Sequence, residues 1–121
     1  MCAGAGLVRA ADPSFPDITH AELQKAIADK QVTLLDANGT DSYKAGHIPG
    51  ALDFTADKDA LAVKLPEKKD SLIVAYCANE NCPAYKEAAL AAQKLGYTNV
   101  KHYAKGIMGW KAAGAATEPG K

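Results

Sequence analysis

With 121 residues, 48% of them hydrophobic, the chain is the size of one domain and long enough to bury a core without disulfide staples. Fourteen basic residues balance fourteen acidic ones, and no basic stripe is interleaved with aromatics, which argues against nucleic acid or an anionic membrane surface as a partner. No run approaches the roughly 18 apolar residues of a membrane helix, so a soluble domain acting on a small molecule is the expectation.

The opening "MCAGAGLVRAAD" is small and apolar, like the tail of a secretory signal with a cleavage point near Ala10 and Ala11. It lacks a basic start and a full apolar stretch. Residues 1–16 are therefore taken as a flexible segment and possible signal remnant, with a periplasmic or otherwise exported location expected and a cytoplasmic one as the alternative. Cys2 is either a former lipid-anchored cysteine or an ordinary exposed thiol on a frayed end.

Thr19 followed by Glu22 fits a capping box, and Leu23 and Ile27 continue a helical stripe to about residue 30. "QVTLLD" at 31–36 reads as a buried strand with Asp36 at its carboxyl end. Residues 37–50 hold three glycines and a proline and are mostly connection, with a short helical turn at Asp41–Ala45. "ALDF" is a brief strand, and residues 57–65 form a helix stopped by Pro66.

"SLIVAYC" at 71–77 is apolar on both faces, the pattern of a central strand in a parallel sheet. Pro83, at a first helical position, opens a helix that Gly96 ends. "NVKHY" is a further strand, a helix near residues 107–113 follows, and 117–121 is a Gly/Pro-rich tail. Strands alternating with helices imply an α/β fold with a parallel sheet covered on both faces. Ligands of such sheets bind beyond the strands' carboxyl ends.

Two of the three cysteines, Cys77 and Cys82, fall in "YCANENCP", directly after the central strand. The pair could hold a metal, close a staple, or react. A structural zinc needs four ligands, whereas Cys2 lies on a loose end and His20, His47 and His102 are scattered along the chain. A bridge across so short a loop gives the least entropic gain. A buried free cysteine behaves as a small hydrophobe, but a sulfur at a strand tip facing a helix start sits where N–H groups and the positive helix end converge. Such a place lowers a thiol's pKa below the usual ~8.5 and makes Cys77 a nucleophile. Cys82, at the expected N-cap, is the candidate second thiol.

The segments "LLDANGTDSYKAGHIPGALDF", "LIVAYC" and "LGYTNVKHYAKGIMGWKAAG" together resemble the rhodanese-like domain over about residues 17–116, with Gly-His-Ile-Pro-Gly-Ala the most specific part. The resemblance implies a five-stranded parallel sheet flanked by helices on both faces. It also implies a sulfurtransferase in which Cys77 takes a sulfane sulfur from a donor such as thiosulfate and passes it as a persulfide to cyanide or a thiol. Partners would be the small donor and a thiol acceptor, such as a thioredoxin-like protein; no cofactor or metal is expected.

Mapped onto this sequence, Cys77 is the nucleophile, and Ala78, Asn79, Glu80, Asn81 and Cys82 form the N–H cradle. Asp36 and His47 are supporting residues that hold turns. The family's common loop, Cys-x-x-Gly-x-Arg-Ser/Thr, is absent here; the loop resembles a longer branch with Cys-x4-Cys-Pro. Asn38 stands where an arginine is usual, Lys105 where the first glycine of a pair often sits, and Lys86 is the nearest cation in sequence that could replace the guanidinium. Tyr85 could narrow the entrance. Thiol-disulfide redox chemistry at Cys77 and Cys82, or a non-catalytic binding module, are the alternatives.

Overall fold

The computed structural model describes residues 15–120. Four strands, β1 (Thr33–Asp36), β2 (Leu52–Asp53), β3 (Leu72–Tyr76) and β4 (Asn99–His102), form one sheet in the order β2-β1-β3-β4. All its pairings are parallel. The helices are α1 (His20–Ala28), α2 (Thr40–Ala45), α3 (Phe54–Asp57), α4 (Leu61–Lys64), α5 (Tyr85–Lys94) and α6 (Gly106–Ala112).

Alternation along the strands sorts the core onto two faces. Leu35, Ile73 and Ala75 point to one side, where they meet Ala88, Ala89 and Ala92 of α5 together with Phe54 and Leu61. Small alanine side chains let α5 lie close to the sheet. Leu34, Val74 and Tyr76 point the other way, against Leu23 of α1 and Ile107 and Trp110 of α6. Four of the five β3 residues are buried, Leu72 being half-buried, as a central strand requires.

The sheet has four strands where the family resemblance implied five. At its β4 edge a single parallel bridge joins Asp17 to His102, with His102 N–H donating to Pro16 O and Ile18 N–H to His102 O. Pro16 has no N–H of its own to extend the ladder. Phe15 already packs against the core, so residues 15 and 16 of the segment set apart in the sequence reading belong to the folded unit. The remainder of that segment, with its signal-like composition and Cys2, lies outside the described residues.

The capping box is formed in both directions between Thr19 and Glu22. The helix expected over 57–65 is instead α3, a 3-10 turn (Lys58–Ala60) and α4. Asp53 caps its start through Ala56 N–H. The tail also departs from the sequence reading. Glu118 forms an antiparallel bridge with His47, Ala116 O accepts the Trp110 indole N–H at 2.7 Å, and Gly120 N–H donates to Lys44 O. Residues 116–120 thus strap α6 to the connection after α2.

Beneath the sheet's carboxyl edge, Tyr76 ties three segments together. Its hydroxyl donates to Asp36 Oδ2 at 2.7 Å and accepts the Ile48 N–H at 3.1 Å, all buried. Tyr76→Phe leaves both partners without water or protein in return. We expect it to cost about 1–3 kcal/mol, read as a lowered midpoint in urea unfolding with an unchanged slope.

Candidate active site

The loop from Cys77 to Pro83 leaves β3 at the sheet's carboxyl end and returns to α5. Its course is set by Asn79, whose side-chain Oδ1 accepts the Asn81 N–H at 2.9 Å while its backbone carbonyl accepts the Cys82 N–H at 3.2 Å. This turn folds Cys82 back onto Cys77. The Cys77 thiol donates to the Cys82 carbonyl at 3.0 Å, with the Cys82 side chain near enough to act on it. Both cysteines are free.

The amides around the sulfurs differ from those the sequence suggested. Ala78 N–H and Tyr85 N–H bear on the Cys77 sulfur, and Ala78 N–H and Ala84 N–H on that of Cys82. Asn81 and Cys82 spend their N–H groups on Asn79, inside the turn. The cradle is therefore completed from the start of α5. That helix begins at Tyr85, two residues after Pro83, through a tight turn in which Lys86 and Glu87 donate to Pro83 and Ala84.

Cys77 was expected to ionise easily, and the structure reverses this. Burial pushes its thiol up to about 11; the hydrogen bond and charge of Cys82 add to the rise, and the Tyr85 and Ala78 amides only partly offset it. Cys77 is 1% exposed, so desolvation of a thiolate outweighs two N–H donors. Cys82 goes the other way. Burial raises it, but the Ala78 amide, the Cys77 thiol and the Ala84 amide together outweigh that and hold it below the ordinary thiol range. Of the two sulfurs, Cys82 is thus the one more readily ionised.

The loop is fixed from behind by α6. Ile107 N–H donates to Cys77 O at 2.9 Å and Met108 N–H to Ala78 O at 3.0 Å. Gly106, at φ +63°, stands where a Cβ would lie 2.4 Å from Cys77 O and 2.6 Å from the Ala78 carbonyl. Only glycine permits this approach. The sequence reading noted Lys105 in place of a glycine and missed Gly106; its signal was the glycine left after the strand "NVKHY".

The remaining expected site residues divide into two groups. Asp36 Oδ1 accepts the Asn38 N–H at 2.8 Å, so it holds its own turn, and burial pushes its pKa up against those bonds. Both ring nitrogens of His47 are engaged, Nδ1 with Tyr43 O at 2.9 Å and Nε2 with Glu118 at 3.2 Å, and its ring stacks on Tyr43. His47 therefore anchors the C-terminal strap and does not reach the sulfurs. Glu80 and Asn81 are exposed, as is Lys86, which is not among the groups acting most strongly on Cys77.

Tyr85 contributes its amide, and its ring lies flat on His102 with centroids 3.4 Å apart. His102, set aside in sequence as scattered, thus stands directly behind the active loop. Burial lowers its pKa, and its Nε2 is buried without a hydrogen-bond partner among the described residues. Beside the loop a groove of about 360 Å³ opens between Asn79, Glu80, Lys105 and the exposed Met108. Among the described residues no three His, Cys, Asp or Glu side chains are grouped to hold a metal. No helix there is long and apolar enough to cross a membrane.

The chain belongs to the rhodanese-like family: the pattern of the rhodanese-like domain matches residues 19–113. It is 36% identical over 104 residues to an HTH-type transcriptional regulator of Mycobacterium tuberculosis, covering 85% of this chain and 45% of that protein. It therefore spans less than half of that relative. It is 25% identical over 108 residues to human thiosulfate:glutathione sulfurtransferase, covering 78% of this chain and 92% of the human one. Among solved structures, a human single-domain sulfurtransferase superposes with a TM-score of 0.65 at 23% identity, over 82% of this chain and 97% of that one. Thiosulfate sulfurtransferase from Pseudomonas aeruginosa superposes at 0.70 and 24% identity, over 95% of this chain and 22% of that one. These two likenesses establish the fold.

Two measurements test the site. With a small alkylating reagent at neutral pH, Cys82 should react first. The Cys77 rate should climb only as pH rises toward a midpoint near about 11. Cys82→Ala should bring that midpoint down, because two of the influences raising Cys77 come from Cys82; an unchanged profile would leave burial as the whole cause. Gly106→Ala should displace the loop, cost about 1–3 kcal/mol of stability and speed Cys77 alkylation in the native protein.

Proposed function

We propose that this chain is a sulfurtransferase that carries a sulfane sulfur on Cys77. The observation that supports the reading most directly is the convergence of the Ala78 and Tyr85 amides on a cysteine sulfur at the carboxyl end of the central strand. A persulfide bears its charge on one outer sulfur, and a few N–H donors suffice to hold it. A phosphate dianion needs more, usually a bidentate guanidinium, and the one arginine in the sequence is Arg9. Family membership and a relative named for thiosulfate and glutathione support the same chemistry.

The proton arrangement gives the first step a definite form. When donor enters, Cys82 in its ionised form, which the Ala78 and Ala84 amides favour, takes the Cys77 proton. The Cys77 sulfur then attacks the outer sulfur of thiosulfate; the new S–S bond forms as the old one breaks, and sulfite leaves with the bonding pair. Cyanide or a thiolate attacks the outer sulfur of the persulfide and returns Cys77 to its starting state. Cys82 serves here as the proton acceptor, a role that its hydrogen bonds suit and its partial exposure allows.

Thiosulfate with cyanide in large excess should yield sulfite and thiocyanate in equal amounts. In Cys77→Ser the rate should drop on the order of 100-fold or more. Failure of the unaltered protein to release sulfite from thiosulfate would remove the proposal and leave the non-catalytic binding reading in its place.

A further inference from the structure

The first step leaves a proton on Cys82 and an outer sulfur on Cys77, with the two cysteines still in contact. Cys77 is almost wholly enclosed, so an external thiol meets Cys82 before it meets the inner sulfur of Cys77. The Asn79 turn folds Cys82 back so that its carbonyl lies 3.0 Å from the Cys77 sulfur. Intramolecular attack therefore has a large advantage in effective concentration over attack by a dilute thiol.

We propose that Cys82 is the resolving thiol of this site, discharging the Cys77 persulfide as sulfide and closing a Cys77–Cys82 disulfide that an external thiol reductant must reopen. This rests on the sulfurtransferase reading above. The Cys82 sulfur attacks the inner sulfur, the atom that belongs to Cys77. A bond forms between the two cysteine sulfurs, the bond to the outer sulfur breaks, and the outer sulfur departs as hydrosulfide with the electron pair and the proton released by Cys82. The sulfane sulfur gains two electrons and the cysteine pair loses two. Two thiols of the reductant restore the pair, so one cycle converts thiosulfate and two thiols into sulfite, sulfide and one disulfide.

The proposal changes what the acceptor is. In simple transfer the acceptor carries the sulfur away, whereas here it is a reductant that never bears it. The groove between Asn79, Glu80, Lys105 and Met108 opens beside the same loop and leaves room for such a thiol to approach.

The test is a single turnover without added thiol, in a Cys2→Ser background so that Cys2 cannot act as acceptor. Thiosulfate is added, intact mass is followed, and free sulfide is measured. The protein with both loop cysteines should gain one sulfur, about 32 Da, only transiently. It should then settle two daltons below its starting mass, with one equivalent of sulfide released and peptide mapping placing a disulfide between Cys77 and Cys82. Cys82→Ser should keep the added sulfur and release none. The proposal is overturned if the added sulfur persists equally in both proteins, or if it is found on Cys82 with no disulfide formed. If the protein with both loop cysteines forms neither the sulfur adduct nor sulfite, the sulfurtransferase reading fails and the resolving step fails with it.

Discussion

The site depends on how the chain is held where β3 ends. Two carbonyls, of Cys77 and Ala78, are taken up by the first amides of α6. That fixes the peptide planes on either side of Ala78 and leaves the Ala78 N–H turned toward both sulfurs. Gly106 makes the approach possible by having no side chain to place between α6 and the loop. A site that relied on the short loop alone would have only the Asn79 turn to shape it, and that turn consumes two of the loop's own donors.

With the backbone fixed, the chemistry follows from a competition between desolvation and hydrogen bonding. Cys77 loses water on nearly all sides and receives two amides, and desolvation wins. Cys82 keeps part of its exposure and receives two amides and a thiol, and hydrogen bonding wins. The result is a pair in which the outer thiol gives up its proton more readily than the enclosed one. An enclosed thiol beside a readily ionised one suits a reaction in which the charge moves inward only when a donor arrives.

Several polar residues near the sheet's carboxyl edge hold structure and do no chemistry. Asp36, Tyr76 and the Ile48 amide form a closed set of hydrogen bonds that joins β1, β3 and the connection after α2. His47, stacked on Tyr43 and bound to Glu118, joins that connection to the C-terminal strap, and the Trp110 indole fixes the strap to α6. Since α6 also clamps the active loop, the strap supports the site at one remove.

The sequence by itself determined the fold class, the order of strands and helices, and the loop on which the two cysteines sit. Those features rest on patterns local to each segment: short apolar runs in β1 and β3, the Thr19–Glu22 cap, and the glycines and prolines between elements. It overstated the sheet by one strand because Pro16 cannot continue an edge ladder. It also divided the helix after β2 differently. Tertiary structure alone decided which amides face the sulfurs, that α6 backs the loop, that His47 binds Glu118, and that His102 stands behind Tyr85. Above all it decided the protonation of Cys77, because a pKa is set by how much water is excluded and by groups brought close from distant parts of the chain, neither of which any run of neighbouring residues encodes.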